Sequence, residues 1–133
     1  MQIQQREEQT LGGWFMRYHC GRGRLRLQVF TAAGTYPVGG ARIRVTRTMG
    51  GRTQVFYEGT TDISGIVQGI LLPALPEEES NDPLTAGHSG TVYLVAVLHP
   101  KFHTVTARPA AVYDTVETIL PVELQPMLER GRG

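Results

Sequence analysis

The sequence has little of what many small proteins use to hold metals, form disulfides or cross membranes. It contains one cysteine, Cys20, which excludes a disulfide within the chain and a cysteine-rich zinc site. No run of 18 apolar residues occurs, so no membrane span is expected. The first ten residues lack the apolar core of a signal peptide. With 133 residues, of which 41% are hydrophobic, the chain can bury one core without such supports.

Lysine is also scarce, and the charge is unevenly distributed. Twelve of the 13 basic residues are arginines, and residues 1–57 carry nine Arg and two Glu, whereas residues 58–133 carry four basic and ten acidic residues. The basic stretches lack the aromatic-rich motif of RNA-binding sheets, so nucleic acid is not expected as a partner. Two interpretations stay open: the arginines project from the outer faces of strands, or the basic part of one copy contacts the acidic part of the next.

Helical periodicity is missing, and strand alternation takes its place. In "RLRLQVF" (24–30), Leu25, Leu27 and Val29 fall on one face. Similar short segments recur between stretches rich in Gly, Pro and Asp, a pattern typical of antiparallel β-sandwiches. We therefore predict an all-β fold, an antiparallel β-sandwich of seven or eight strands. The apolar segment 91–100 is expected to be a central strand, and Pro121 predicts a free or bulged edge beside the last strand.

The segment "GGWFMRYHC" (12–20) alternates as well, ahead of the first core strand. It is either an extra edge strand of its own sandwich or an arm that pairs with a neighbouring subunit by strand addition. Cys20 is either a small buried residue or a link to another chain. We predict an N-terminal arm or extra edge strand at 1–22, a sandwich domain at 23–126 and a tail at 127–133. The candidate assembly residues of the arm are Trp14, Phe15, Met16, Tyr18 and Cys20.

The stretch "TTDISGIVQG" (60–69) raises the question of whether Asp62 is a catalytic carboxylate. Aspartic proteases use Asp-Thr-Gly or Asp-Ser-Gly, whereas this chain has Asp-Ile-Ser-Gly and no second copy to form a dyad. Aspartate favours corners because its side chain binds nearby backbone N–H groups, and glycine tolerates positive φ. We predict that Asp62 and Gly65 form a structural turn.

Other residues with catalytic or metal-binding chemistry are not arranged in known patterns. Pro100 argues against a helix that would bring His99 and His103 together, and a strand would place them about 13 Å apart. No serine lies in a Gly-x-Ser-x-Gly motif, and the acidic segment 77–82 lacks the ligand spacing of a calcium loop. We expect no catalytic residue, metal or cofactor, and predict that the protein is not an enzyme. The rival hypothesis is a small hydrolase that uses Asp62 and a histidine.

Three segments resemble the carboxypeptidase regulatory-like, or transthyretin-like, β-sandwich domains. "TAAGTYPVGGARIRV" (31–45) resembles the family's Pro-Val-x-Gly-Ala strand, and "GTTDISGIVQGILLPAL" (59–75) resembles its Thr-Asp-x-x-Gly corner. "VYDTVETILPVELQP" (112–126) resembles the closing strand of versions found in clostridial spore-cortex and peptidoglycan-binding proteins. The resemblance covers residues 23–126. It implies a prealbumin-like fold, a structural role for Asp62 and an accessory rather than enzymatic function.

Together these features predict a non-enzymatic structural or interaction module. We expect it to self-associate into an oligomer or filament of a bacterial surface, spore or extracellular assembly, with cell-wall or spore components as further partners. Without a signal peptide, it would reach the outside by another route, such as release from a dying mother cell. The alternative is a carbohydrate- or peptidoglycan-binding module. That function needs a row of exposed aromatic residues, for which the candidates are Tyr57, Tyr93 and Tyr113.

Overall fold

A computed structural model describes residues 21–32, 34–75 and 90–127, and within these ranges the chain forms strands and turns without a helix. The expected all-β sandwich of seven or eight strands is confirmed, with eight strands in the described ranges. Among the described residues, no helix is long and apolar enough to cross a membrane. The strands are β1 (Gly21–Thr31), β2 (Tyr36–Pro37), β3 (Arg42–Met49), β4 (Arg52–Thr60), β5 (Ile66–Ala74), β6 (Thr91–Leu98), β7 (Val105–Val112) and β8 (Glu117–Glu123).

The strands form two four-stranded sheets. In sheet A, β1 pairs antiparallel with β2 and β5 and parallel with β8. Sheet B has the antiparallel order β4-β3-β6-β7, so the expected central position of β6 is confirmed. The parallel β1–β8 pair joins the two ends of the domain. Alternation along either strand could not predict it, because partners far apart in the chain leave no local signal.

The core lies between the sheets and follows the predicted alternation. Leu25, Leu27 and Val29 of β1 are buried, as are Leu120 and Val122 of β8. These side chains meet the inward residues of sheet B, such as Val45, Val95 and Val97, in one hydrophobic cluster. Burying a side chain of this size contributes about 1.5–3 kcal/mol, so the two inner faces hold the sheets together.

Tyr93 on β6 is the largest fully buried side chain of the described residues. Its hydroxyl donates a hydrogen bond to the Pro73 carbonyl across the sandwich, at 2.5 Å. Burial raises the pKa of Tyr93 well above its usual range, and nearby Arg47 and Arg22 offset this only in part. Tyr93 therefore stays neutral and links sheet B to sheet A.

The first core strand starts earlier than the sequence pattern indicated. Gly21 and Arg22 pair with Ala74 and Pro73 of β5. The predicted arm (1–22) thus shares its last two residues with β1, and residues 1–20 lie outside the described ranges. At the other end, Met127 donates a backbone hydrogen bond to Lys101, and the rest of the predicted tail lies outside the described ranges.

Candidate interaction surfaces

The Asp62 corner connects β4 to β5 through a dense set of local hydrogen bonds. The Asp62 Oδ1 atom accepts hydrogen bonds from the backbone N–H groups of Ser64 and Ile66, both at 2.9 Å. The Asp62 carbonyl accepts another from Gly65 at 2.9 Å. Gly65 has a φ of +75°, and a Cβ there would overlap the Val29 carbonyl. One oxygen of the carboxylate is thus occupied by backbone donors, an arrangement that holds a turn and does not require a substrate.

Thr61 anchors the same corner and was not recognised from the sequence. Its buried hydroxyl donates to the Val38 carbonyl at 2.8 Å and accepts from the Ala41 amide at 2.9 Å. The Thr61 amide donates to the Ala41 carbonyl at 2.9 Å. Thr61 therefore ties the corner to the segment that leads into β3. A polar residue directly before Asp62 was the only available signal, and the sequence could not show its burial.

The histidines lie apart from any set of metal ligands in the described residues. His99 Nδ1 accepts a hydrogen bond from the Lys101 amide at 3.1 Å, and the His99 ring contacts Phe102 edge to face. No group of three His, Cys, Asp or Glu side chains could hold a metal within residues 21–32, 34–75 and 90–127. His19, His88 and the acidic segment 77–82 fall outside those ranges.

The tyrosines proposed to bind a glycan do not form an exposed row, so this expectation was wrong for Tyr93. That residue points between the sheets and is fully buried. Tyr57 is half-buried and packs against the core beside Gly59, whereas Tyr113 is partly exposed after the end of β7. The alternation of "TVYLVAVL" could not show which face was inward, because both faces of β6 are apolar.

The outer face of sheet B carries a shallow depression of about 540 Å³. Arg42, Arg44 and Glu58 line it on one side and Leu98 on the other. Arg44 and Glu58 form an ion pair at 3.0 Å, but both side chains are more than half exposed. Such a pair contributes little to stability because water screens it. The depression is an open surface and holds no buried polar group that would orient a small ligand.

Four of the five outer strands carry a proline. These are Pro37 in β2, Pro73 in β5, Pro109 in β7 and Pro121 in β8, whereas β4 has none. Proline has no N–H and cannot donate to an incoming strand, so it blunts a sheet edge. Beside β8, the described residues supply no further strand, as the position of Pro121 predicted.

The position of Pro121 in the β1–β8 ladder shows how a proline can block the free edge without weakening the sheet. Arg24 donates to the Val116 carbonyl and Leu124 donates to the Phe30 carbonyl, both across the parallel β1–β8 pair. Because backbone groups alternate in direction along a strand, the even-numbered residues of β8 face β1. The nitrogen of Pro121 therefore faces the free edge and costs the β1–β8 ladder nothing.

The β4 edge is built differently. A two-residue turn, Gly50–Gly51, joins β3 to β4 with φ values of +59° and +79°. Two positive φ values are typical of a type I′ hairpin, in which the closing pair Met49–Arg52 exchanges both backbone hydrogen bonds. The alternate residues Thr53 and Val55 then direct their N–H and C=O groups away from β3. Val55 also exposes 49% of its surface.

A β-bulge interrupts β4 after Val55. Val55 pairs with Thr46 and Tyr57 with Val45, so Phe56 is the extra residue. Phe56 and Tyr57 both pack against the core, and the Phe56 ring lies 5.1 Å from that of Tyr93, edge to face. Both aromatic residues remain only partly buried. The open side of the sandwich next to β4 is therefore lined by aromatic surface.

The sequence matches no known family of proteins and no curated protein. Solved structures do match. The TIE protein of Bacillus anthracis is 14% identical, with a TM-score of 0.53 over 80% of this chain and 17% of its own. The shaft pilin SpaA of Lactobacillus rhamnosus GG is 11% identical, with a TM-score of 0.56 over 80% of this chain and 50% of its own. Transthyretin of Sparus aurata is 18% identical, with a TM-score of 0.46 over 77% of this chain and 88% of its own.

These likenesses concern the fold. At identities this low, a shared sandwich does not carry over a partner or an activity. The chain spans half of the pilin chain and less than a fifth of the TIE protein, so it corresponds to one part of each. The expected β-sandwich is confirmed at this level, whereas the resemblance to carboxypeptidase regulatory-like domains and the clostridial spore context remain predictions.

Proposed function

We propose that this chain is a non-enzymatic structural module that assembles with copies of itself on a bacterial surface, on a spore or in an extracellular assembly. The observation that carries the proposal is the sandwich it shares with a shaft pilin. Contacts between different surfaces of identical subunits generate rings or filaments, and a sandwich with one unblocked edge is suited to such contacts. Cell-wall or spore components are further proposed partners.

The charges of the described residues support contact between copies. The residues on the outer face of β1 include Arg24 and Arg26, and the ion pair between Arg44 and Glu58 lies elsewhere, on β3 and β4. Four acidic residues cluster in the segment 77–82. A basic face on one copy and an acidic segment on the next would steer association and weaken as salt rises.

A carbohydrate- or peptidoglycan-binding module is less well supported. Glycan recognition on a sheet relies on exposed aromatic faces, and Tyr93 is buried while Tyr57 packs against the core. Of the three candidates, this leaves Tyr113, which does not form a row of exposed aromatic residues with Tyr57 or Tyr93.

Self-association is tested by comparing the full chain with a variant that lacks residues 1–20. We expect the full chain to form oligomers or filaments with rising concentration, by light scattering and electron microscopy. The deletion variant should stay monomeric with the same β-type circular dichroism, because β1 begins at Gly21. In the full chain, contact between copies would remove the apolar side chains of the arm from water, which stabilises the assembly by about 25 cal/mol per Å² of apolar surface buried. A full chain that is monomeric at its highest soluble concentration would contradict the proposal.

A further inference from the structure

We infer that the free edge of β4 binds residues 14–20 of a second copy as an added strand. This inference rests on the proposed self-association and names the two surfaces that meet. One is the edge of β4 from Arg52 to Val55, which continues past the bulge at Phe56. The other is the alternating segment "WFMRYHC".

The backbone of β4 offers an unblocked edge for hydrogen bonding. An added strand gains its affinity from main-chain hydrogen bonds along an exposed edge. Prolines interrupt β2, β5, β7 and β8, but Thr53 and Val55 of β4 keep N–H groups that face outward. Of the five outer strands, β4 therefore offers the best template.

The side chains next to this edge match the incoming segment. On the inner side of β4, Phe56 and Tyr57 are only partly buried. A strand added there would place every second residue over them, and Trp14, Met16 and Tyr18 are spaced two apart. Aromatic pairs across neighbouring strands add about 0.2–1 kcal/mol each. The apolar side chains of the arm and the partly exposed aromatic side chains of β4 can therefore bury each other.

The direction of β1 favours a second copy over the same chain. Gly21 pairs with Ala74, at the end of β5 that lies opposite the Asp62 corner. The chain that precedes Gly21 thus enters at the Arg52 end of β4 and would have to reverse to lie along its own β4. Residues 14–20 contain no Gly, Pro, Asn or Asp, the residues that favour reversals. We therefore assign residues 14–20 to the β4 edge of a neighbour.

The test uses the full chain with Val55→Pro, and Ile119→Pro as the matched control. Both substitutions remove an N–H that faces away from the neighbouring strand, one on β4 and one on β8, so neither breaks a ladder bond of the fold. We expect Val55→Pro to weaken self-association at least tenfold by analytical ultracentrifugation. Ile119→Pro should assemble like the unaltered chain. Trp14 is the only tryptophan, so its emission should shift to the blue on assembly and stay red-shifted in Val55→Pro.

The outcomes separate this inference from the proposed function. If Val55→Pro assembles as well as the unaltered chain, the β4 site is wrong while self-association stands. If neither chain assembles, the proposed function fails; a blue-shifted Trp14 in such a monomer would place the arm on its own sandwich and also overturn the inference. Circular dichroism checks folding. Should Val55→Pro unfold, Thr53→Pro tests the same edge, and loss of assembly in that folded variant supports the inference.

Discussion

Two aspartates close the corners that carry the chain from sheet B to sheet A, on opposite sides of the sandwich. Asp62 lies between β4 and β5, and its carboxylate binds the amides of Ser64 and Ile66, two and four residues further on. Asp114 lies between β7 and β8, and its carboxylate binds the amide of Arg22 at 3.0 Å, 92 residues earlier. The first corner is closed by its own residues, whereas the second is closed against the start of β1.

The backbone of the two corners differs in the same way. In the first, the residue with positive φ is Gly65, for which this conformation is inexpensive. In the second it is Thr115, with a φ of +64°, although a β-branched side chain disfavours that region. The Thr115 amide donates to the Arg22 carbonyl at 2.9 Å. Long-range bonds to β1 therefore hold a conformation that the local sequence does not favour.

The largest effect is expected from Gly65→Ala. The new Cβ would occupy a left-handed conformation and also overlap the Val29 carbonyl, so we expect a loss of about 3 kcal/mol in the free energy of unfolding. Gly40→Ala is the matched control, because Gly40 has a φ of +74° but no atom within 4 Å of an added Cβ. Its cost should be about 1 kcal/mol. Equal losses in chemical denaturation would show that crowding at Gly65 is unimportant.

Removing either aspartate should have a smaller effect on stability, and the two substitutions should affect different parts of the chain. Asp62→Ala and Asp114→Ala should each cost about 0.5–2 kcal/mol, because backbone donors lose their acceptor. Hydrogen exchange should accelerate at Ser64 and Ile66 in the first variant, and at Arg22 in the second. Asp62→Asn keeps an acceptor oxygen and should lose less.

The same pair of variants tests the structural role of Asp62. If Asp62→Ala keeps its melting temperature but abolishes a measurable hydrolytic rate, the turn hypothesis is wrong and the hydrolase hypothesis gains support. Faster exchange at Arg22 in Asp62→Ala would instead show that the two corners are not independent.

The contrast between the corners also explains what could be predicted from the sequence. Asp62 and Gly65 were recognisable because the residues that form that turn are neighbours in the chain. Asp114 was not recognised from the sequence, because its partner Arg22 belongs to another strand. The burial of Tyr93 was missed for a related reason, since only the packing of sheet B against sheet A decides which face of β6 points inward.

The strands themselves were predicted well where one face is apolar and the other polar, as in β1 and β3. The bulge at Phe56 was not predicted, because an extra residue changes the pairing with β3 but leaves the composition of β4 unremarkable. The β4 edge emerged only when the prolines could be assigned to particular outer strands. The candidate surface thus depends on the order of the strands in the sheets, which the hydrophobic periodicity of the sequence cannot predict.

The smallest effect is expected at Thr115, and it tests whether long-range bonds hold the second corner. Asn populates the left-handed region more readily than a β-branched residue, so Thr115→Asn should raise the free energy of unfolding by about 0.5 kcal/mol. Thr115→Gly relieves the same strain but increases the conformational entropy of the unfolded chain. The two effects on the free energy of unfolding should nearly cancel. Neither variant should change hydrogen exchange at Arg22, because the Asp114 bond and the Thr115 amide remain. We would measure the melting temperature and the amide hydrogen exchange of both variants under the same conditions. If Thr115→Asn is destabilising, the threonine side chain itself supports the corner, and the positive φ at Thr115 is not a source of strain.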